Sequence, residues 1–532
     1  MSAFVKRKLA SVWKAAQVEL QGEYSTKRVQ DLFTFVNEAS SFRVLLAQLL
    51  TPLPCLGITA IVDLLPLRPV EDDVNSNHLF FIRAFIAFWL ANTTTYNQFK
   101  HIVPQLPLSN TRIASFGAIV AAITVVVMYG LTLVVGFPLP FSIITMSPLW
   151  LSLFMMPMVP WMIKSRMDPT TWPLVTTSLK VMICQEIMVV VYPTYFYAFT
   201  TIPDSGKTYF ALLLPLLKLI FRNAMAKTVG YLSDEVPEGV ILNVEVVSAL
   251  FVAYCMQNTP SLTTMAALMA IDALQISASL YDIGVITGRM EALRKRTKQN
   301  KSTDIRTGRC NSELKIAHEI FSRCTSSQKA SGEMKPSPCH SSIRKLSSAV
   351  HPFEREGQTT SIVPVQADPV RKSRSGPQDS DVSSARDTRL ELQYVQELKR
   401  VLYITEFVVL LNYVEVIIPL IFSAYLLMMY HLPNRAYYKQ IDGMDKAQLW
   451  YTLSNVLLYA GLQLVSLLVL NLVLWYKMRL SGFRQLSFVL ERQCSPVQNK
   501  LILWVFYNVQ TALQHFGFDF AFTFAWLRSH TS

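Results

Sequence analysis

The stretch 113-IASFGAIVAAITVVVMYGLTLVV-135 contains no charged residue and is long enough to cross a lipid bilayer. About 20 apolar residues in an α-helix span the hydrocarbon core of a membrane. A second uncharged stretch runs from Ala447 to Tyr476. Because the backbone polar groups of a chain in lipid must be hydrogen-bonded within the segment, we expect both stretches to be transmembrane helices.

Nine further stretches are apolar enough to be candidates, although some carry a charged residue or a proline. They are Val44–Leu64, Leu79–Tyr96, Phe141–Ile163, Leu174–Phe199, Tyr209–Phe221, Gly239–Met256, Leu262–Thr287, Val401–Tyr430 and Leu501–Leu527. Pro148, Pro157 and Pro160 interrupt the stretch from Phe141, and proline bends a helix because it lacks a backbone N–H. The sequence therefore predicts an all-α, polytopic membrane protein with eleven spans, and ten is the alternative.

The charges between the stretches indicate a topology, since Lys and Arg collect in cytoplasmic loops. Residues 1–43 carry seven basic and four acidic residues, and the insert 289–400 carries 22 basic and 13 acidic residues. These two segments account for +12 of the net charge of +13. We expect both to be cytoplasmic, in the plasma membrane or an endomembrane, and we expect no nucleic-acid partner.

The same pattern divides the chain into four parts. They are a basic amphipathic arm (1–43), a block of eight helices (44–288), a linker (289–400) and a block of three helices (401–532). From about Asn300 to Ser384 the linker is rich in Ser, Lys, Arg, Gln and Pro and poor in large apolar residues. Such a composition cannot bury enough apolar surface to offset the entropy of ordering, so we expect disorder there.

Basic residues beside the membrane suggest anionic lipid as a partner, in addition to the bilayer itself. The candidates directly after the eighth span are Arg289, Arg294, Lys295, Arg296 and Lys298. A simple topological anchor is the alternative. In the arm, apolar residues recur with helical spacing between lysines, which predicts a helix lying in the membrane interface. These apolar residues are Val5, Leu9, Val12, Trp13, Ala16 and Leu20.

Signatures of catalysis and metal binding are missing from the sequence. The seven cysteines show no paired spacing, and neither an H-E-x-x-H nor a G-x-S-x-G motif occurs. We therefore expect no enzyme, no cofactor and no metal site.

Ionisable residues inside the predicted spans are the candidate functional residues, because a charge at mid-bilayer costs a few kcal/mol or more and usually faces protein or water. We predict an intramembrane cluster of Lys180, Glu186, Lys218, Glu245 and Asp272. Secondary candidates are Glu406, Glu415, His515 and Asp519, the last two being spaced to relay protons along one helix face. The alternative is that these groups only hold helices together.

A polar stripe on one face of the tenth predicted span has the same two interpretations. It contains Asn455, Tyr459, Gln463 and Ser466.

Three short stretches carry a resemblance to a known group of proteins. They are 213-LLPLLKLIFRN-223, 245-EVVSALFVAYCMQ-257 and 269-MAID-272. They resemble an expanded family of uncharacterised multi-pass membrane proteins of oomycetes, over about residues 60 to 290 and part of the C-terminal block. The resemblance implies a multi-pass fold and assigns no activity or residue role.

Two functions fit these observations. The first is a transporter or channel-like protein whose polar path uses the predicted cluster. The second is a membrane scaffold or receptor-like protein whose linker recruits cytosolic partners. A membrane-embedded enzyme is a distant third hypothesis.

Overall fold

A computed structural model describes residues 17–72, 74–258, 262–300, 314–316, 319–320 and 379–517. Within these ranges the structure is helical, and its only β-pairing is an isolated bridge between Tyr438 and Leu513. The helices before the linker are α1 (Thr26–Glu38), α2 (Ser41–Leu50), α3 (Leu53–Asp63), α4 (His78–Ile102), α5 (Asn110–Val135), α6 (Ser142–Met155), α7 (Val159–Ser165), α8 (Trp172–Thr201), α9 (Asp204–Ala211), α10 (Leu213–Val229), α11 (Val236–Asn258) and α12 (Leu262–Asn300). Those after it are α13 (Asp379–His431), α14 (Lys446–Met478), α15 (Gly482–Arg492) and α16 (Cys494–Thr511).

Polar side chains set the first residue of several helices. Ser25, Ser40, Ser109 and Ser481 each accept a hydrogen bond from the backbone N–H three residues later, at the start of α1, α2, α5 and α15. Asp445 forms a reciprocal capping box with Gln448 at the start of α14. Such caps satisfy N–H groups that have no partner within the helix.

Eight helical segments in the described part of the chain are long and apolar enough to cross a membrane. They are Ser41–Asp63, Asn110–Val135, Trp172–Thr201, Tyr209–Val229, Val236–Gln257, Ala266–Lys295, Arg389–His431 and Lys446–Met478. A ninth consists of α6 and α7, which meet at an angle of 58°. This break lies in the stretch where the three prolines predict a bend.

Contacts between loops sort the turns of the chain onto two faces. On one face, which we call the arm face, the arm contacts the segment before α11, the helix α13 at Lys399 and the last turn of α15. Its contacts include Ser25 N–H to Asp234, Lys399 to Thr26, Arg43 to Glu491 and Arg492 to Asp31. On the opposite face, the far face, the turns after α3, α5, α13 and α16 meet. Its contacts include Asn434 to the Leu65 carbonyl, His515 to the Arg68 carbonyl and Phe141 N–H to the Gly517 carbonyl.

Two more helices, α4 and α16, run between the same faces but are too polar to be among the eight. The start of α4 lies beside Phe137 and Phe516 on the far face, whereas His101 near its end contacts Glu235. The total of eleven spans stays a prediction.

The position of the last predicted span, Leu501–Leu527, is wrong. The helix runs from Cys494 to Thr511, so it starts seven residues earlier and ends before His515. Lys500, the residue directly before the predicted span, is buried inside the helix and paired with Glu238, so its charge does not mark a loop. Residues 518–532 lie outside the described part of the chain.

Helices α11 and α13 form the centre of the molecule. The apolar segment of α11 is 100% buried and that of α13 is 89% buried. The outer helices α5 and α14 instead expose large apolar side chains such as Val126, Val134 and Leu472, as expected for surfaces that face lipid. Because α11 packs directly on α13, the eight-helix block and the three-helix block share one core.

Both ends of the linker continue neighbouring helices. Helix α12 extends to Asn300, and α13 already begins at Asp379, inside the stretch for which we predicted disorder. At 379–384 that prediction is wrong, since these residues belong to the helix that leads into the central span. It is also wrong at 314–316 and 319–320, which are helical, and Leu314 and Ile320 are buried in the core. Most of the linker, and residues 1–16 of the arm with most of its predicted interfacial helix, lie outside the described residues.

Candidate functional site

Lys218 on α10 is the centre of a buried ionic group. Its ammonium lies 2.8 Å from a carboxylate oxygen of Glu245 on α11 and 2.8 Å from one of Glu415 on α13. Asp272 on α12 is 3.9 Å away. Arg222, one turn after Lys218, contacts the other oxygen of Glu245 at 2.5 Å. We call Lys218, Arg222, Glu245, Asp272 and Glu415 the Lys218 cluster.

The cluster is positioned by five helices, because α14 supplies hydrogen bonds to it. Gln463 donates to Asp272 at 2.9 Å, and the Tyr459 hydroxyl donates to the same oxygen at 3.4 Å. Both residues belong to the polar stripe predicted for the tenth span. The stripe therefore binds a carboxylate on a neighbouring helix.

Charges in the cluster do not balance. Three carboxylates face two basic side chains, which leaves one excess negative charge if all are ionised. Glu245, Arg222 and Glu415 are 1, 3 and 4% exposed, whereas Lys218 and Asp272 keep 12 and 14% of their surface. One oxygen of Glu415 has no hydrogen-bond partner among the described residues. A proton bound by a carboxyl would make the group neutral.

Two members of the predicted cluster lie elsewhere. Lys180 is exposed on α8, and Glu186 faces an apolar cavity with no ion pair among the described residues. Both residues lie on α8, which is rotated so that its buried stripe contains Gln185 and Tyr192 instead. The rotation of a helix whose hydrophobicity is nearly uniform cannot be read from its sequence, so this part of the prediction is wrong.

Of the secondary candidates, Glu415 joins the Lys218 cluster and Glu406 forms a separate buried pair. Arg28 on α1 contacts Glu406 on α13 at 2.7 Å, and the Tyr24 hydroxyl donates to the same carboxylate. His515 lies after α16, with its Nε2 2.8 Å from the Arg68 carbonyl oxygen. Its proposed proton partner, Asp519, lies outside the described residues.

Reasoning from the sequence missed two other buried pairs. Arg83 on α4 pairs with Asp63 at the end of α3, where Tyr425 and Tyr438 also donate to the carboxylate. Lys500 pairs with Glu238 near the arm face. Arg83 is a charge within the predicted span Leu79–Tyr96, but its partner Asp63 is next to the end of the predicted span Val44–Leu64 and its sequence position does not indicate a pair.

An ion pair outside the predicted spans lies beside Lys500. His101 Nε2 is 3.3 Å from the Glu235 carboxylate, and each side chain is about one third exposed. Contact with Glu235 raises the pKa of His101, although burial opposes this. Burial also opposes ionisation of Glu235, but the contact with His101 outweighs it and lowers the pKa of Glu235.

Together the helices, the apolar outer surfaces and the buried charges define a polytopic α-helical fold compatible with a membrane protein. Comparisons of the chain with protein-family models, curated proteins and solved structures found no match. The resemblance to the oomycete family therefore stays a prediction, and the function must be argued from the geometry.

Proposed function

We propose that this protein is a membrane transporter in which the Lys218 cluster couples the movement of a solute to protons. The observation that supports this is the arrangement of three carboxyl groups around one ammonium, with Glu245 and Glu415 each at 2.8 Å and Asp272 at 3.9 Å. All lie within apolar helices, where charged groups commonly mark proton relays and ion paths. The identity of the solute is a separate question.

The excess carboxylate supplies the proton-binding group. Like charges in a medium of low dielectric constant repel strongly, so one of the three carboxyls gains stability by binding a proton. Asp272 and Glu415 suit this role better than Glu245, because Arg222 already holds Glu245. In a reaction with balanced charge, a proton from water binds the carboxylate and the net charge of the cluster rises from −1 to zero.

The positions of the helices allow this event to change their packing. Asp272 lies on α12, whose apolar segment is only 17% buried, whereas Glu245 lies on the wholly buried α11. Protonation of Asp272 removes its attraction to Lys218 and weakens the tie between the outer helix α12 and the Lys218 cluster. A movement of α12 against α13 is the step that we assign to transport.

The test is solute uptake by the full-length protein in liposomes with an imposed inward proton gradient. A panel of radiolabelled sugars, amino acids, nucleosides and inorganic ions is offered, with a protonophore added in parallel samples. We expect at least one solute to accumulate only while the gradient exists. Asp272→Asn and Glu415→Gln should reduce this uptake at least tenfold, whereas Glu491→Gln, which removes a surface carboxyl, should not.

Protein stability separates a functional role from a structural one. Lys218→Met leaves three buried carboxyls with one cation and is expected to cost about 3–5 kcal/mol, so it is unsuitable for the uptake assay. The two carboxyl variants reduce the excess charge and should keep the thermal unfolding temperature of the natural protein. Folded variants with normal uptake, or no gradient-dependent uptake of any solute by the natural protein, would contradict the proposal.

One observation favours the scaffold as a second candidate. Helices α12 and α13 contain 39 and 53 residues, so at about 1.5 Å per residue both are much longer than the roughly 30 Å core of a bilayer. They pack together and both lead into the linker on the arm face. Capture of cytosolic proteins that is lost on deletion of residues 301–378, with the transport assay negative, would support this alternative.

A further inference from the structure

A cavity of about 110 Å³ lies among α4, α6, α8 and α16, on helices that contribute no residue to the Lys218 cluster. Aromatic and aliphatic side chains form most of its wall, including Phe88, Trp150, Trp504 and Tyr507. Glu186 is its single acidic residue, and neither Lys nor Arg lines it. The cavity is therefore apolar with one anionic group.

Glu186 also borders a second space, which opens on the outer surface of the molecule. This groove of about 410 Å³ is lined by Glu186 and otherwise by apolar residues, among them Ile183, Ile187 and Val190. These three side chains are 57, 49 and 45% exposed on the same surface of α8. The carboxyl group thus lies between the cavity and a groove that faces the hydrocarbon of the membrane.

Glu186 has no hydrogen bond or ion pair among the described residues, although it lies midway along the 30-residue helix α8. An unpaired carboxylate at mid-bilayer is costly. The polar groups of the aromatic side chains in the wall are already engaged: Trp150 N–H donates to Asn92, Trp504 N–H to Asn243, and Tyr507 O–H to the Val189 carbonyl. Gln510 Nε2 in the same wall has no hydrogen-bond partner among the described residues. The two indoles therefore line the cavity without an N–H group free to bind a ligand, and Glu186 is its one acidic group, without a partner among the described residues.

From this geometry we propose that the cavity and the groove together bind a single-chain amphiphilic amine. The ammonium group lies at Glu186, where the carboxylate and the aromatic faces both attract a cation. A cavity of about 150 Å³ accommodates benzene, so 110 Å³ holds the small substituents on the nitrogen and not a bulky ring system. The alkyl chain lies in the groove, along Ile183 and Ile187.

Charge complementarity also excludes two related occupants. A fatty acid would place a second carboxylate beside Glu186. A phospholipid with an ammonium head carries a phosphate next to it, and no basic side chain in the wall of the cavity is present to neutralise that phosphate. The amine reaches the site from the membrane, because the groove opens toward lipid.

The test is equilibrium binding of tritiated dodecyltrimethylammonium to the full-length protein in phosphatidylcholine nanodiscs, with empty nanodiscs as background. Dodecanol and dodecanoate carry the same chain and serve as neutral and anionic comparisons. We expect saturable binding of about one cation per protein and no saturable binding of the other two. Replacing part of the phosphatidylcholine by phosphatidylethanolamine should leave the affinity unchanged.

Variants locate the site. Glu186→Gln should weaken binding of the cation at least tenfold, equivalent to about 1.4 kcal/mol. Ala91→Phe, which fills the cavity, should do the same without removing a charge. Glu291→Gln, which removes an exposed carboxylate on α12, should have no effect.

Three outcomes would overturn the proposal: binding no greater than in empty nanodiscs, equal binding of dodecanol, or unchanged binding in both Glu186→Gln and Ala91→Phe. Competition by phosphatidylethanolamine would overturn the assignment to a single-chain amine. The experiment does not depend on transport, so its failure and that of the proposed function are distinguishable.

Discussion

Buried ion pairs fix the positions of several single residues in this mostly apolar protein. Arg28, Arg83, Arg222 and Lys500 are each almost fully buried, and each has a carboxylate partner on another helix or segment. Breaking a buried pair by removing one partner typically costs 3–5 kcal/mol, because the remaining charge is left uncompensated. Each of these pairs therefore fixes which helices are neighbours.

The pair of His101 and Glu235 predicts a pH-dependent contribution to stability. The folded protein raises the pKa of His101 above its ordinary value of 6.5. The stabilisation is therefore fully present below pH 6.5 and is lost as the pH rises through the higher pKa of the folded state. Because both groups are about one third exposed, we expect only about 0.5 kcal/mol.

This contribution is measured by thermal unfolding of the natural protein and His101→Gln at pH 5.5 and 8.5. The natural protein should be more stable than the variant at pH 5.5, and the difference should shrink at pH 8.5. Glu238 and Lys500 also act on His101, so a second variant is needed to assign the effect to Glu235. Glu235→Gln should reproduce the loss of stability seen for His101→Gln at pH 5.5. A difference that grows with pH would contradict the assignment.

At the residue scale, the sequence shows which charged side chains lie in apolar stretches, where burial is costly, but not which of them contact one another. Lys218, Glu245 and Asp272 were predicted together because each is a charge within an apolar stretch, and the structure joins them. Arg222 and Glu415 complete the group, but their role depends on how α10 and α13 are rotated against α11. Lys180 and Glu186 were placed in the cluster because α8 has no distinct polar face from which its rotation could be inferred.

At the scale of elements, the described part of the arm is attached to the helix bundle. Helix α1 contacts α15, and Arg28 reaches Glu406 on the central helix α13. Gln485 on α15 donates to Tyr24, which in turn donates to Glu406. These contacts link the arm to the central helix.

We predict that Arg28→Met lowers the free energy of unfolding by about 3–5 kcal/mol, because it leaves the Glu406 carboxylate buried without its partner. The double variant Arg28→Met, Glu406→Leu should recover most of the loss, since both charges are then absent. The matched control is Arg43→Met, whose pair with Glu491 is exposed and is expected to contribute about 0.2–1 kcal/mol.

These values are measured by thermal unfolding, with limited proteolysis of the arm as a second readout. Arg28→Met should also make the arm cleavable under conditions in which the natural protein is resistant. Equal losses for Arg28→Met and Arg43→Met would show that the buried pair does not hold the arm.

The predicted bounds of a span are correct where a long apolar stretch alone defines the helix, and wrong where a polar residue is buried inside it. Helix α5 matches the uncharged stretch from Ile113 to Val135. The predicted position of α16 is wrong because a charged residue such as Lys500 is typical of a loop. Its neutralising partner Glu238 lies 262 positions away along the chain, so the sequence does not show the pair.

At the scale of the whole molecule, the sorting of turns onto two faces gives a test of the span number. If α4 and α16 both cross the membrane, the residues flanking each helix lie on opposite sides. Glu71 and Gln105 flank α4 and are both exposed, while Cys494 is exposed at the start of α16 and Gln514 follows its end. The prediction of eleven spans requires that Glu71 and Gln514 share one side and Gln105 and Cys494 the other.

Labelling with a membrane-impermeant maleimide checks this arrangement in sealed, oriented vesicles. The linker cysteines Cys310, Cys324 and Cys339 are first replaced by serine, because they would react from the same side as Cys494. Cys494 is tested in this background, and Glu71→Cys, Gln105→Cys and Gln514→Cys are made in the same background with Cys494→Ser added. We expect Gln105→Cys and Cys494 to react from the side that holds the linker, and Glu71→Cys and Gln514→Cys only from the other. Labelling of Gln514→Cys and Cys494 from the same side would mean that α16 does not cross and that the chain has ten spans. Because Lys500 and Glu238 neutralise each other within the bundle, we expect the polar helix α16 to cross and the eleven-span arrangement to hold.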